Sequence, residues 1–338
     1  MLVECVPNVS EGRRLDVVER LADALSSVPG VYLLDRTSDA SHNRSVFTVA
    51  GEHDAVTDGL ERLVAQAIDD IDMATQQGEH PRIGAVDVVP FVPLGDTTID
   101  DCVDVAQAFG RRVAQRFDLP VYFYAAAALR ADRVKLADVR RGQYEGLLHE
   151  IATNGRQPDA GPARMHPRAG ATAVGARPFL IAWNVNLATD DVELAKRIAR
   201  RVRESGGGLP KVQANGFRVE EPERGHPARA QVSMNLLDFG VTPVWLAWDT
   251  VRELAAEDGV EAAESELIGL MPTAAFLDIA DHAGVPADAP VADRLAAAAD
   301  AIRLRDFRPD MALELRLEAA RSRPSGAARP GPSPDPAS

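Results

Sequence analysis

The sequence is short of cysteine, of basic charge and of long apolar stretches, and each shortage closes a class of function. Its two cysteines, Cys5 and Cys102, are too few for a disulfide framework or a four-thiolate zinc site. No apolar run approaches the ~20 residues that a membrane helix requires. The N-terminus runs directly into Leu2-Val3-Glu4-Cys5-Val6-Pro7-Asn8, which reads as a strand and lacks the basic-then-apolar layout of a signal peptide. A cytoplasmic location with no membrane partner is the expectation. Against 37 basic side chains stand 51 acidic ones, a net charge of −14. That balance counts against non-specific binding to nucleic acid, which takes a basic footprint. A small anion remains compatible with it, because a few arginines can line a local cleft. The seven histidines (His42, His53, His80, His149, His166, His226 and His282) show no HExxH-type spacing, so no metal is expected.

What is present is a packed α/β chain. With 338 residues, 46% of them apolar, it is long enough for two domains or for one domain built of two similar halves. Residues 15–28 place Val18, Leu21, Ala22, Leu25 and Val28 on one helical face. Residues 53–73 do the same with Val56, Leu60, Leu63, Val64, Ala67, Ile68 and Ile71. Short β-branched runs at 31–34, 46–50, 86–91 and 121–124 read as strands, with a helix over about 99–117. A similar order restarts near residue 178: strand 179–187, helix 190–204 stopped by Gly206-Gly207-Gly208, strands 211–219 and 231–237, helix 243–254, strand 265–270. The prediction is an α+β fold of two ferredoxin-like subdomains with mixed or antiparallel sheets, residues 1–178 and 179–322. From residue 323 the chain is Pro, Ser, Gly and Ala with no apolar face, which predicts a disordered tail over 323–338.

Several segments carry chemistry-bearing residues. Gly78-Glu79-His80-Pro81-Arg82 lies between a long helix and a strand, and Pro81 pushes His80 out of the helical region. A loop histidine flanked by Glu79 and Arg82 suits general acid–base work, or a hydrogen-bonded turn. Asp35-Arg36-Thr37-Ser38-Asp39-Ala40-Ser41-His42-Asn43-Arg44 reads as a polar turn between strands, longer than a hairpin needs. Arg44 starts a strand on the same face as Thr48 and could present a guanidinium fork to a carboxylate. In strand 179–187, Ala182, Asn184 and Asn186 oppose Trp183, Val185 and Leu187; in 231–237, Gln231, Ser233 and Asn235 oppose Val232, Met234 and Leu236. Those amide-rich faces are either solvent-facing or the lining of a polar cavity. Segment 153–178, rich in Pro and Gly, is too long for a plain connection and reads as a functional linker or binding loop. Cys5, on a strand beside Glu4 and Val6, reads as a packed small residue rather than a nucleophile.

Taken in order, these pieces resemble the formiminotransferase domain of the glutamate formimidoyltransferase family. The resemblance rests on Glu4-Cys5-Val6-Pro7-Asn8 with Ser10-Glu11-Gly12, on Asn43-Arg44, and on Gly78-Glu79-His80-Pro81-Arg82 running into Gly84-Ala85-Val86-Asp87. It continues through Gly161-Pro162, Gly170-Ala171-Thr172, Gly175-Ala176-Arg177, Gln231-Val232-Ser233 with Asn235-Leu236, and Gly269-Leu270 with Pro272, covering residues 2 to about 280. It implies transfer of a formimino group from N-formimino-L-glutamate to N5 of the co-substrate tetrahydrofolate, in histidine degradation. It also implies two subdomains whose sheets face each other across a folate groove, and a homodimer. The family's catalytic histidine falls on His80, and its folate-contacting loop on Gly161, Pro162, Ala163, Arg164, Met165, His166, Pro167, Arg168, Ala169 and Gly170. A carboxylate assisting the histidine aligns near Thr37, with Asp35 and Asp39 on either side and Asp39 the preferred choice. Arg44 and Arg82 are the first candidates for the substrate carboxylates, with Asn43, Asn184 and Asn186 beside them. Ala160 and Arg168-Ala169 stand where the family carries aromatic residues, which leaves less stacking surface for a pterin. Residues 222–229 read as a lengthened hairpin, and no cyclodeaminase activity is expected. Alternatives are formyl-group handling on folate, such as 5-formyltetrahydrofolate consumption, or a folate-binding protein without catalysis.

Overall fold

The computed structural model describes residues 1–221 and 226–322. The predicted tail (323–338) and half of the predicted hairpin extension, residues 222–225 with Arg224 and Gly225, lie outside the described residues. The chain divides into two compact units, Met1–Pro178 and Phe179–Ser322. No helix among the described residues is long and apolar enough to cross a membrane.

The first unit runs β1 (Leu2–Cys5), β2 (Asn8–Val9), α1 (Leu15–Ser26), β3 (Tyr32–Asp39), β4 (Arg44–Glu52), α2 (His53–Asp70), β5 (Val86–Pro93), α3 (Ile99–Phe117), β6 (Val121–Ala125), α4 (Leu136–Val139), α5 (Gln143–Glu150) and β7 (Thr172–Ala176). The strand expected over residues 2–8 is interrupted at Pro7, which has no N–H to give. Its halves, β1 and β2, both pair antiparallel with β4 on one side and β5 on the other. β3 completes that antiparallel set beyond β4, and the sheet continues from β5 through parallel β7 to parallel β6, seven strands in all. The apolar stripes do what their spacing demands. Val18, Leu21, Ala22 and Leu25 of α1, and Val56, Leu60, Leu63, Val64 and Ala67 of α2, are buried. α3 starts on a capping box, Thr98 Oγ1 accepting from Asp101 N at 3.2 Å while Asp101 Oδ2 accepts from Thr98 N at 2.9 Å.

The second unit runs β8 (Ile181–Leu187), α6 (Val192–Val202), β9 (Val212–Glu221), β10 (His226–Leu236), α7 (Val244–Glu257), β11 (Ala262–Ile268), α8 (Thr273–His282), α9 (Val291–Ala301) and α10 (Leu313–Arg321). Its four strands are antiparallel in the order β11-β8-β10-β9, with the first strand between the third and the fourth. The same arrangement holds for β5, β1 with β2, β4 and β3 in the first unit, so the repeated split-βαβ pattern is real. α6 opens on Asp191, whose Oδ1 accepts from Glu193 N at 2.9 Å and Leu194 N at 3.1 Å.

Two expectations need correcting. The polar stretch 35–44 is mostly strand: β3 extends to Asp39 and β4 begins at Arg44, leaving only 40–43 as the hairpin loop. A ladder needs backbone groups rather than apolar side chains, so polar composition alone misreads it as a turn. Segment 153–178 also hides β7, a central parallel strand with all of its residues buried. A strand covered on both faces shows no alternation, and Thr-Ala-Val-Gly-Ala is too small-residued to look like one.

Candidate active site

Three short connections of the first unit meet at the end of its sheet: 10–14 after β2, 40–43 between β3 and β4, and 76–84 before β5. A shallow pocket at their junction is lined by Val9, Ser10, His42, Asn43, Arg44, Gln76, His80, Arg82 and Asp87. Backbone closeness makes it. A Cβ on Gly78 would sit 2.2 Å from His42 O, and one on Gly84 would sit 1.8 Å from Ala171 O. Ser10 joins the first connection to the third, its N donating to Ala85 O at 2.9 Å and its Oγ to Gly84 O at 2.7 Å. Asn43, buried and at φ 49, accepts from Gly12 N at 3.0 Å and donates to Gln77 O at 2.8 Å. Both ends of its carboxamide are thus engaged by backbone, which makes Asn43 a clamp between connections.

Arg82 is likewise committed. Its Nε donates to Gln76 Oε1 at 2.7 Å, and its Nη2 donates to Gln76 O at 2.9 Å and Glu145 Oε1 at 2.8 Å. Buried in that geometry, it shapes the 76–84 segment that carries His80. Arg44 is different. Its Nη1 donates to His80 Nε2 at 2.6 Å, its buried Nε finds no hydrogen-bond acceptor, and no ion pair engages it among the described residues. Burial lowers its pKa, and so does the neighbouring Arg140 cation. A guanidinium only donates, so the half-buried His80 ring accepts at Nε2 and carries its proton on Nδ1. Burial pushes the pKa of His80 down to about 3, helped by Arg44, then Arg140 and His42. The ring is therefore neutral over the whole physiological range.

Asp87 underlies this charge group from β5. Fully buried, it accepts from Ile83 N at 2.7 Å and is paired with Arg140. Burial raises its pKa, and Arg140, the Ile83 N–H and Arg44 oppose the rise. Asp39, the carboxylate expected beside His80, is bound to His42 instead. Its Oδ1 accepts from His42 N at 2.8 Å and from Ser41 Oγ at 2.7 Å, and its Oδ2 meets His42 Nδ1. Burial raises the Asp39 pKa, but these donors outweigh it and hold the carboxyl at about 2. Among the described residues no hydrogen bond joins Asp39 to His80. The two imidazoles face each other edge to plane, 6.2 Å between centroids.

Residues 161–170 are fastened to the same pocket wall. Gly170 bridges to Gly84, Ala85 N donates to Ala169 O at 2.9 Å, and Met73 N donates to Arg168 O at 2.8 Å. Within the segment His166 Nδ1 accepts from Ala169 N at 2.9 Å, and Met165 and Ala169 are buried. Gly161, Ala163, Arg164, Pro167 and Arg168 are exposed. Arg168 uses its guanidinium on Ile68 O and Asp69 O at the end of α2, both at 2.9 Å, and Arg164 is paired with Asp118. Asn184 and Asn186 belong to the second unit. Asn184 Nδ2 donates to Glu266 at 3.1 Å, and Asn186 Nδ2 to Glu264 at 3.2 Å. Arg229 and Arg305 complete that network, so the amide-rich face of β8 is neither open nor empty.

Sequence reasoning gave no role to Asp87 or Arg140. Asp87 did leave a signal, a lone charge inside the apolar run Val86–Phe91, which can be buried only with partners. Arg140 left none. Cys5 is buried with its thiol pKa raised by burial and then by Glu4, and it is inert packing. No group of three or more candidate metal ligands occurs among the described residues.

Residues 2–177 match the family described as the formiminotransferase domain, N-terminal subdomain, and residues 182–286 match the formiminotransferase domain. A glutamate formimidoyltransferase of Streptococcus pyogenes is 42% identical over 281 residues, 83% of this chain and 92% of that protein. One of Thermoplasma acidophilum is 44% identical, with 83% and 91% covered. The formimidoyltransferase-cyclodeaminase of Rattus norvegicus is 42% identical over 82% of this chain but only 52% of its own length. Both halves of the chain thus match one family over most of their length, and the chain belongs to the formiminotransferase domain family, whose members are transferases.

Proposed function

We propose that the protein transfers the formimino group of N-formimino-L-glutamate to N5 of tetrahydrofolate, releasing L-glutamate. The observation that carries this reading is the Arg44–His80 pair, a guanidinium with an unpartnered buried Nε beside an imidazole held neutral. Each substrate carries carboxylates, and an arginine fork takes a carboxylate in two parallel bonds. The residues present thus fit both. Residues 161–170, joined to the His80 segment through Gly84 and Gly170, supply the exposed edge for the folate.

Tetrahydrofolate supplies a secondary amine, N5, as nucleophile. Arg44 turns from His80 to a substrate carboxylate, and His80 Nε2 is released with its lone pair. The arriving negative charge also weakens the bias against the imidazolium. His80 then takes the proton that N5 loses as the new N–C bond forms, a general-base step. Asp87 and Arg140 hold the segment and its charge in place beneath the ring. The family resemblance brings with it a homodimer and a role in histidine degradation. The test is a chromatographic assay offering formiminoglutamate and 5-formyltetrahydrofolate separately. Folate-dependent release of glutamate from the first is the expected result; turnover of only the second would overturn the reading.

A further inference from the structure

Exchange of one amine for another at a carbon involves two nitrogens, and each needs a proton moved. His80 is placed for one of them. Across the pocket His42 forms a unit with Asp39 that this mechanism leaves unused. The carboxylate grips both the backbone N–H and Nδ1 of His42, fixing the ring with its proton on Nδ1. No hydrogen bond reaches Nε2 among the described residues, and the ring lines the pocket. A carboxylate on Nδ1 both sets the tautomer and compensates the charge of the imidazolium.

We infer that His42, oriented by Asp39, is a second proton-transfer residue of this pocket and serves the departing glutamate nitrogen. The inference rests on the formimino-transfer reading. His80 Nε2 accepts the proton lost by N5 as the N5–C bond forms. The imidazolium of His42 gives its Nε2 proton to the glutamate nitrogen as the old C–N bond breaks, its electron pair going to that nitrogen. His42 is left neutral and His80 protonated. One proton returned from His80 to His42, between rings 6.2 Å apart at their centroids, resets the pair. No electron is gained or lost.

The test combines kinetics with ring-nitrogen NMR on the intact protein. In His42→Gln, turnover with formiminoglutamate should fall about 100-fold, the lower end of acid–base contributions. A donor whose leaving amine is weakly basic, N-formimino-4-aminobenzoate, needs no such proton and should restore the variant to within about threefold of wild type. His80→Ala should not be rescued. Without any substrate, and at a pH high enough to leave the ring neutral, the 15N spectrum should show His42 protonated at Nδ1 and bare at Nε2, and Asp39→Asn should release it to mixed tautomers. Undiminished turnover in His42→Gln, equal losses with both donors, or an unchanged His42 tautomer in Asp39→Asn would each overturn the inference. A wild-type protein that fails to transfer to folate overturns the underlying reading, and this one with it.

Discussion

At the scale of the residue, the pocket turns on a cation that no ion pair engages among the described residues, with Asp39 and Asp87 acting on it only from a distance. Arg44 is half-buried, donates to a neutral ring and leaves its buried Nε without an acceptor, an expensive arrangement unless an anion is to come. Replacing it with Gln should raise the donor KM by roughly 10- to 100-fold, the loss of a charge-assisted pair. The same variant should change the pH profile. His80 is held down to about 3 by burial first and Arg44 second. With the cation removed, the acid limb of kcat/KM, which reports the free enzyme, should move upward. A limb that stays fixed would show that Arg44 does not act on the ring. The role expected of the His80 ring came from the family resemblance alone, whereas the loop that carries it was legible in the sequence because proline and glycine mark it. The partner of Asp39 was not, because a side chain at the end of a strand can bond locally to the loop that follows, and spacing alone does not choose between two histidines.

At the scale of the element, the pocket depends on two ladders meeting. The 80–85 segment is zipped to 169–171, and Gly84 is where the backbones come closest. Gly84→Ala puts a methyl carbon 1.8 Å from Ala171 O, so one segment must move. The expected cost is about 1–3 kcal/mol, read as a lower urea midpoint, with turnover falling further than stability because His80 moves too. Arg82→Ala should act the same way from the other side. It leaves the Gln76 carbonyl and carboxamide without their donor, with an expected loss of about 1–3 kcal/mol and little change in donor KM. A large KM effect would return Arg82 to the substrate. The helices and most strands could be read from periodicity, since α2 and α3 carry long one-sided stripes. β7 could not, because burial on both faces removes the alternation by which a strand is recognised. The true extent of β3 and β4 was hidden for the opposite reason, polar side chains on a paired backbone.

At the scale of the molecule, the repeat of one split-βαβ pattern was visible as an order of elements, while the parallel extension of the first sheet was not. The charge buried at the pocket should also be felt by the whole fold. His80 has a folded pKa near 3 against 6.5 when exposed, so the unfolded chain binds more protons between them. Stability is full above about pH 6.5 and is lost as pH falls toward 3. Asp39, at about 2 against 3.8, adds a further loss as pH falls from 3.8 toward 2 and it is protonated. Urea unfolding at pH 7 and pH 5 should therefore show a decline in wild type that His80→Gln makes shallower. Equal slopes in the two proteins would mean that the ring is not buried neutral. The central claim, that His80 moves the proton in formimino transfer, meets its most direct test in single turnover. Purified protein is mixed with formiminoglutamate and tetrahydrofolate, and the glutamate released is followed for wild type and His80→Ala. The account predicts one glutamate per folate converted and a rate roughly 100- to 10,000-fold lower in the variant, with folate affinity little changed. A variant that releases glutamate at the wild-type rate would contradict it.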